Sequence, residues 1–108
     1  MMKKFILLAF LTVFTLNVFA QDNLIKKATE ITNEMTEVLS LTEEEKTTVY
    51  GIQLNRFKEV VLIRKKYKGD PETRKPELKK VFKRLFGKLR KALGKDKMQI
   101  WKKYKSNN

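Results

Sequence analysis

The sequence contains no cysteine and no histidine, and this double absence removes several classes of function. Without cysteine the chain can form no disulfide, so a small fold must be stabilised by other means. The usual zinc and copper ligands are missing, and no nucleophile can be paired with an imidazole base. Ser40 and Ser106 have no evident base partner, and no glycine-rich phosphate loop is present. The sequence therefore predicts no enzyme, no metal centre and no cofactor.

Glycine and proline are also scarce, with four and two residues, and no low-complexity linker divides the chain. No segment alternates apolar and polar residues with a period of two, so no sheet is predicted. Apolar residues instead recur at spacings of three and four, which is typical of amphipathic helices. The sequence predicts an all-α fold with a long antiparallel hairpin in the middle. We place its four helices at about Asn23–Leu39, Glu43–Lys68, Pro76–Ala92 and Lys95–Lys105.

Helix-terminating residues set these limits. Asp22 can cap the first helix, and Thr42 followed by Glu45 has the spacing of a capping box that starts the second. Pro71 would prevent the second helix from continuing. Pro76 fits the first turn of the third helix, where its missing N–H is not needed.

The first twenty residues have the pattern of a signal peptide. Lys3 and Lys4 precede an apolar run, and small side chains at Val18 and Ala20 suit cleavage after residue 20. The alternative is a membrane anchor, but residues 5–20 are interrupted by polar residues and fall short of the roughly 20 apolar residues that a span needs. We therefore expect an exported protein with a signal peptide at 1–20 and one helical domain at 21–108.

A domain of this size is only marginally able to stabilise itself. Below about 70–80 residues a lone core rarely supplies more than roughly 3–5 kcal/mol, and a slightly longer chain gains little more. Since disulfides and zinc are excluded, association of two copies is the remaining source of stability. We expect a homodimer.

Charge is distributed very unevenly along the chain. The net charge is +13; residues 21–45 carry −5, whereas residues 46–108 carry +16. Such a basic field attracts acidic proteins, anionic lipid surfaces and other polyanions. It could equally be a solvated face that keeps a small protein soluble. Nucleic acid is not expected as a partner, because lysine outnumbers arginine and no recognition motif is present.

The predicted second and third helices hold more apolar residues than one buried stripe requires. Some of these should remain at the surface beside lysine and arginine, where they would mark a binding face for unfolded or acidic proteins. We expect that face to contain Arg56, Phe57, Val61, Arg64, Lys79, Lys83, Arg84, Phe86, Lys88 and Arg90. Two alternatives remain for the third helix: it could lie on a membrane surface, or its apolar residues could simply form the core, as Leu78, Phe82, Leu85 and Leu89.

One short stretch resembles a known family. Leu41 and Thr42, with Glu45 three positions after the threonine, are similar to the L-T-x-x-Q motif with which the Spy/CpxP family opens a helix, except that Glu45 replaces the glutamine. A second copy would begin at Leu93; it lacks the threonine and has Lys97 at the glutamine position. The resemblance implies a periplasmic, curved, antiparallel dimer of helical subunits that holds unfolded proteins without ATP and takes part in envelope-stress responses.

Three functional hypotheses follow from these patterns. The first is a chaperone-class binding protein in the periplasm. The second is a basic module that binds anionic envelope polymers or lipid head groups. The third is a regulatory helical partner of one particular protein in envelope-stress signalling.

Overall fold

The computed structural model describes the backbone of residues 2–108 and the side chains from residue 21 onward. This part of the chain contains four helices and no strand: α1 (Met2–Leu39), α2 (Glu43–Lys66), α3 (Pro71–Leu93) and α4 (Lys95–Asn107). The predicted all-α class is thereby confirmed. The predicted signal peptide lies outside the residues whose side chains are described. Among the described residues, no helix combines the length and the apolar character needed to cross a bilayer.

α1 differs from the prediction at its start. The helix runs without a break through Asp22, which lies inside it and caps nothing. No glycine or proline stands between residues 20 and 23, so the sequence contains no residue there that would end a helix. At the other end Ser40 takes a left-handed φ of 52°, and the Leu41 N–H donates to the Thr36 carbonyl at 3.3 Å. This Schellman-type ending fixes the turn into α2.

The start of α2 is the predicted capping box. The Thr42 hydroxyl accepts from the Glu45 N–H, and the Glu45 carboxylate accepts from the Thr42 N–H, each at 3.1 Å. Glu43, Glu44 and Glu45 all occupy the first turn, where the helix dipole favours negative charge.

α3 starts five residues earlier than predicted. Asp70 is the N-cap: its carboxylate accepts from the Thr73 N–H at 3.2 Å and from the Thr73 hydroxyl at 2.6 Å. Pro71, which was expected only to stop α2, occupies the first helical position. Pro76 lies inside the helix, where it removes a single backbone hydrogen bond. α3 is therefore longer than the sequence indicated, whereas α2 ends at Lys66, two residues before the predicted Lys68.

The four helices pack in a ring at one end of the molecule. α2 contacts α1 and α3, and α4 contacts the same two helices from the other side. Their shared core contains Met35, Leu39, Leu41, Val49, Leu85, Leu89, Leu93, Met98 and Trp101. α4 has 13 residues and is about 20 Å long, whereas the 24 residues of α2 extend about 36 Å. The α2–α3 hairpin thus continues beyond the region that α4 covers.

The part of the hairpin that α4 does not reach is less buried than the rest. No residue from 54 to 80 is buried, and the apolar side chains of that stretch are half-buried or exposed. The radius of gyration is 17.5 Å, compared with about 13 Å for a compact chain of this length, and the 38 residues of α1 contribute to this elongation together with the hairpin. The molecule therefore has a packed end and an open arm.

Candidate binding surface

One flank of α3 presents aromatic and basic side chains together. Val81, Leu85 and Leu89 face the core, and Phe82 and Phe86 lie beside that buried line. Phe82 is 44% exposed and Phe86 is 41% exposed. Lys75, Lys79, Phe82, Phe86 and Arg90 follow one another at spacings of four, three, four and four, so they share a face of the helix. We call these five residues the α3 stripe.

Two open grooves border the α3 stripe. The arm groove has a volume of about 460 Å³ and is lined by Lys75, Pro76, Leu78, Lys79 and Phe82. The elbow groove, between α3 and α4, has a volume of about 440 Å³ and is lined by Phe86, Gly87, Arg90, Lys95, Met98, Gln99 and Lys102. Neither groove is lined by an acidic residue. Within residues 21–108, none of their lysines and arginines forms an ion pair.

The sequence-predicted binding residues divide into several groups. Lys79, Phe86 and Arg90 belong to the α3 stripe. Phe57 and Val61 are half-buried on α2, whereas Arg64 and Lys83 are exposed outside the stripe.

Arg56 has a packing role that its charge did not suggest. Its guanidinium carbon lies 4.2 Å from the centre of the Phe57 ring and 5.3 Å from that of Phe82. Burial lowers the pKa of this half-buried guanidinium, and its Nε has no hydrogen-bond partner within the described residues. Arg56 therefore packs against one member of the α3 stripe, by a cation–π contact with Phe82.

Arg84 and Lys88 lie on the opposite flank of α3, where they face Asn55 and Glu59 of α2. Arg84 donates to the Glu59 carboxylate at 2.8 Å. This ion pair joins the two helices of the hairpin and leaves Arg84 less available to a ligand.

Sequence reasoning missed four of the charged and aromatic residues that line the two grooves: Lys75, Phe82, Lys95 and Lys102. It also missed Gly87 and Met98 of the elbow groove. The interpretation that placed Leu78, Phe82, Leu85 and Leu89 in the core holds for Leu85 and Leu89, which are buried, whereas Leu78 is half-buried and Phe82 is exposed. Angular position gave no signal for Phe82: at 100° per residue it lies only about 20° from Leu89, which is buried.

The residues that carry the family resemblance come together at the packed end. Leu41 and Leu93 are both buried in the same core. Thr42 caps α2, whereas Gly94 precedes α4 with a φ of 90° and forms no side-chain cap. Glu45 and Lys97, the two positions that depart from the motif, contact each other: the Lys97 Nζ lies 2.9 Å from both carboxylate oxygens of Glu45.

These contacts hold α4 in place. The hydrogen bond from Lys97 is the main reason why the pKa of Glu45 is lowered. At the far end of α4, Lys105 lies 3.6 Å from Glu34 of α1. Burial raises the pKa of Tyr104, and the charge of Glu34 adds to that effect. Glu34 and Glu45, both within the acidic segment 21–45, thus pair with Lys105 and Lys97 of α4. Lys95 and Lys102 of the same helix line the elbow groove instead.

No protein-family model, curated protein or solved structure matches this chain.

Proposed function

We propose that this chain is an exported, ATP-independent binding protein of the chaperone class that holds acidic or partly unfolded proteins at the α3 stripe. One observation carries the proposal: two phenylalanine rings remain more than 40% exposed between lysine and arginine side chains that have no partner among the described residues. Large exposed apolar side chains ringed by charge are typical of protein-binding surfaces.

The two kinds of side chain act over different distances. Cations attract an acidic client over several ångströms and increase the rate of encounter. The rings then bind apolar segments at short range. With about 200 Å² per phenylalanine side chain, the two exposed fractions amount to about 170 Å², or about 4 kcal/mol if a client covered them completely. Partial coverage gives weak, reversible binding, which suits a protein that must release its clients.

The motif geometry supports the resemblance to the Spy/CpxP family. In both copies the leucine is buried in one core, and the residue after it lies at a helix start. The glutamine positions hold Glu45 and Lys97, which pair with each other across 52 residues of sequence. Opposite charges at these two positions would maintain the link between the helix starts. We include the periplasmic location and the homodimer of that family in the proposal.

The test is suppression of aggregation. A slow-folding acidic client is diluted from denaturant with an equimolar amount of this protein, and light scattering is followed at 20 mM and 300 mM salt. We expect suppression at low salt, reduced but measurable suppression at high salt, and no requirement for ATP. Failure to suppress aggregation at low salt would refute the proposal. Sedimentation equilibrium at two concentrations tests the dimer.

A second candidate function is binding to anionic lipid surfaces. It is favoured by the absence of acidic residues from both grooves of the α3 stripe. Co-sedimentation with vesicles of anionic and of zwitterionic lipid, across a salt series, separates the two functions. Membrane binding predicts pelleting with anionic vesicles only, loss of pelleting with salt, and no effect on client aggregation.

A further inference from the structure

The elbow groove has a more specific composition than the rest of the surface. Phe86 supplies most of its apolar surface, because Met98 is only 6% exposed and belongs to the core. Its rim carries Arg90, Lys95 and Lys102. None of these cations forms an ion pair within residues 21–108. The groove therefore offers an apolar surface surrounded by positive charges on two helices.

Gly87 provides an independent observation about this groove. Glycine is a poor residue for a helix interior, so its presence in the middle of α3 calls for a local reason. A Cβ built at Gly87 would meet no other heavy atom within 4 Å, so packing of the fold does not require glycine there. Gly87 lines the elbow groove, so a methyl group at this position would take up part of its open space.

The dimensions indicate what fits. Lys95 and Lys102 lie seven residues apart on α4, a distance of about 10 Å along the helix. About three residues of extended peptide cover that length. The groove is open along its side, whereas sites for small molecules usually enclose most of the ligand. An extended peptide with one apolar side chain and a carboxylate on either side of it matches both the apolar surface and the basic rim of the groove.

We propose that the elbow groove binds a short peptide segment in which an aromatic or aliphatic residue is flanked by aspartate or glutamate. The apolar side chain contacts Phe86, and the carboxylates meet Arg90, Lys95 and Lys102. This inference rests on the proposed function, because it names the class of client segment that the chaperone recognises. The elbow groove would then bind segments of a defined composition, whereas the rest of the α3 stripe binds apolar and acidic segments without such selectivity.

Fluorescence anisotropy of a labelled pentapeptide tests the groove. The probe has a central phenylalanine between two pairs of acidic residues. One control peptide has serine in place of phenylalanine, and another has lysines in place of the acids. We expect the probe to bind, the serine peptide to bind about tenfold more weakly, and the lysine peptide not to bind. Equal binding of the probe and the serine peptide would overturn the proposal.

Two glycine variants provide a matched pair. Gly51 is also inside a helix and a Cβ there would meet nothing within 4 Å, but it lines neither groove. Gly87→Ala and Gly51→Ala should each raise the melting temperature by about 4 °C. Only Gly87→Ala should weaken binding of the probe, by at least about fivefold, because its methyl group occupies the groove. Wild-type affinity in Gly87→Ala, or equal losses in both variants, would overturn the proposal.

Arg90→Glu checks the charged rim, and we expect it to abolish binding of the probe at 50 mM salt. Wild-type binding by this variant would contradict the assignment. Anionic vesicles that displace the probe to the same extent from wild type and from Gly87→Ala would indicate a membrane-binding surface and overturn the peptide assignment.

The aggregation and anisotropy assays separate the two proposals. If the wild-type protein fails to suppress client aggregation but probe binding depends on Gly87, the chaperone proposal fails and the groove remains. If wild type and Gly87→Ala both suppress aggregation but neither binds the probe, only the proposal for the elbow groove fails.

Discussion

The packed end and the open arm should differ in how much they contribute to stability, and two leucines of α3 allow a direct comparison. Leu89 is 1% exposed and belongs to the core shared by the four helices, whereas Leu78 is half-buried in the arm. Truncation of a fully buried leucine to alanine removes its transfer free energy and leaves a cavity, at a total cost of about 3 kcal/mol. At Leu78 solvent can fill the vacated space, so we expect about 1 kcal/mol.

Urea unfolding followed by circular dichroism and by the fluorescence of Trp101 measures both variants. Trp101 lies in the packed core, so its signal reports that end, while circular dichroism averages over all helices. We expect a loss of about 3 kcal/mol in the free energy of unfolding for Leu89→Ala and about 1 kcal/mol for Leu78→Ala. Amide hydrogen exchange should show residues 54–80 opening at lower free energy than residues 85–93. Equal losses in the two variants, or equal protection of both regions, would refute this division of the molecule.

Three further predictions concern the junction between the helices. Thr42→Ala should lower the free energy of unfolding by about 1 kcal/mol, and Thr42→Ser should retain most of it; equal melting curves for both would contradict the capping box. Because Lys97 lowers the pKa of Glu45, the stability gained from Glu45 is present above its ordinary pKa and is lost as pH falls through the lowered value. Glu45→Gln should therefore reduce the fall in melting temperature between pH 5 and pH 3, and Asp70, whose pKa is also lowered, should account for part of the fall that remains; an unchanged fall would contradict the contact. Glu45→Gln and Lys97→Gln should be non-additive in a double-mutant cycle; simple additivity would mean that the two residues do not interact in solution.

Much of the fold could be predicted from local sequence. Thr42 and Glu45 form a capping box because both bonds lie within one helical turn, so their spacing was sufficient to identify it. Apolar spacings of three and four are also local features of the sequence, so they predicted the number of helices. The start of α3 was predicted wrongly because two prolines each fit a first turn. Only the hydrogen bonds between Asp70 and Thr73 select the earlier one.

The site could be predicted only in part, because it depends on tertiary neighbours. Lys79, Phe86 and Arg90 were identified from charge and apolarity. Phe82 was assigned to the core in one interpretation, since nothing in the sequence shows that α4 ends before it can cover the arm. Lys95 and Lys102 were missed because their importance comes from their position opposite Phe86 across the elbow groove.

The contact between Glu45 and Lys97 could not be read from the sequence either. The two residues lie 52 positions apart, and each was noted only as a departure from a motif. Their meeting depends on how α4 folds back against the start of α2.

We propose that the exposed apolar side chains of α3 hold clients, and variants of Phe82 and Phe86 test this proposal. Leu62 is 66% exposed on α2 and lies outside the α3 stripe, so Leu62→Ser is a matched control that also removes exposed apolar surface. Circular dichroism first establishes that each variant retains its helices. Client aggregation is then measured with Phe82→Ser/Phe86→Ser, with Phe82→Leu/Phe86→Leu and with Leu62→Ser. We expect the double serine variant to lose suppression, and the double leucine variant and Leu62→Ser to retain it. Full suppression by the double serine variant, or an equal loss in Leu62→Ser, would contradict it.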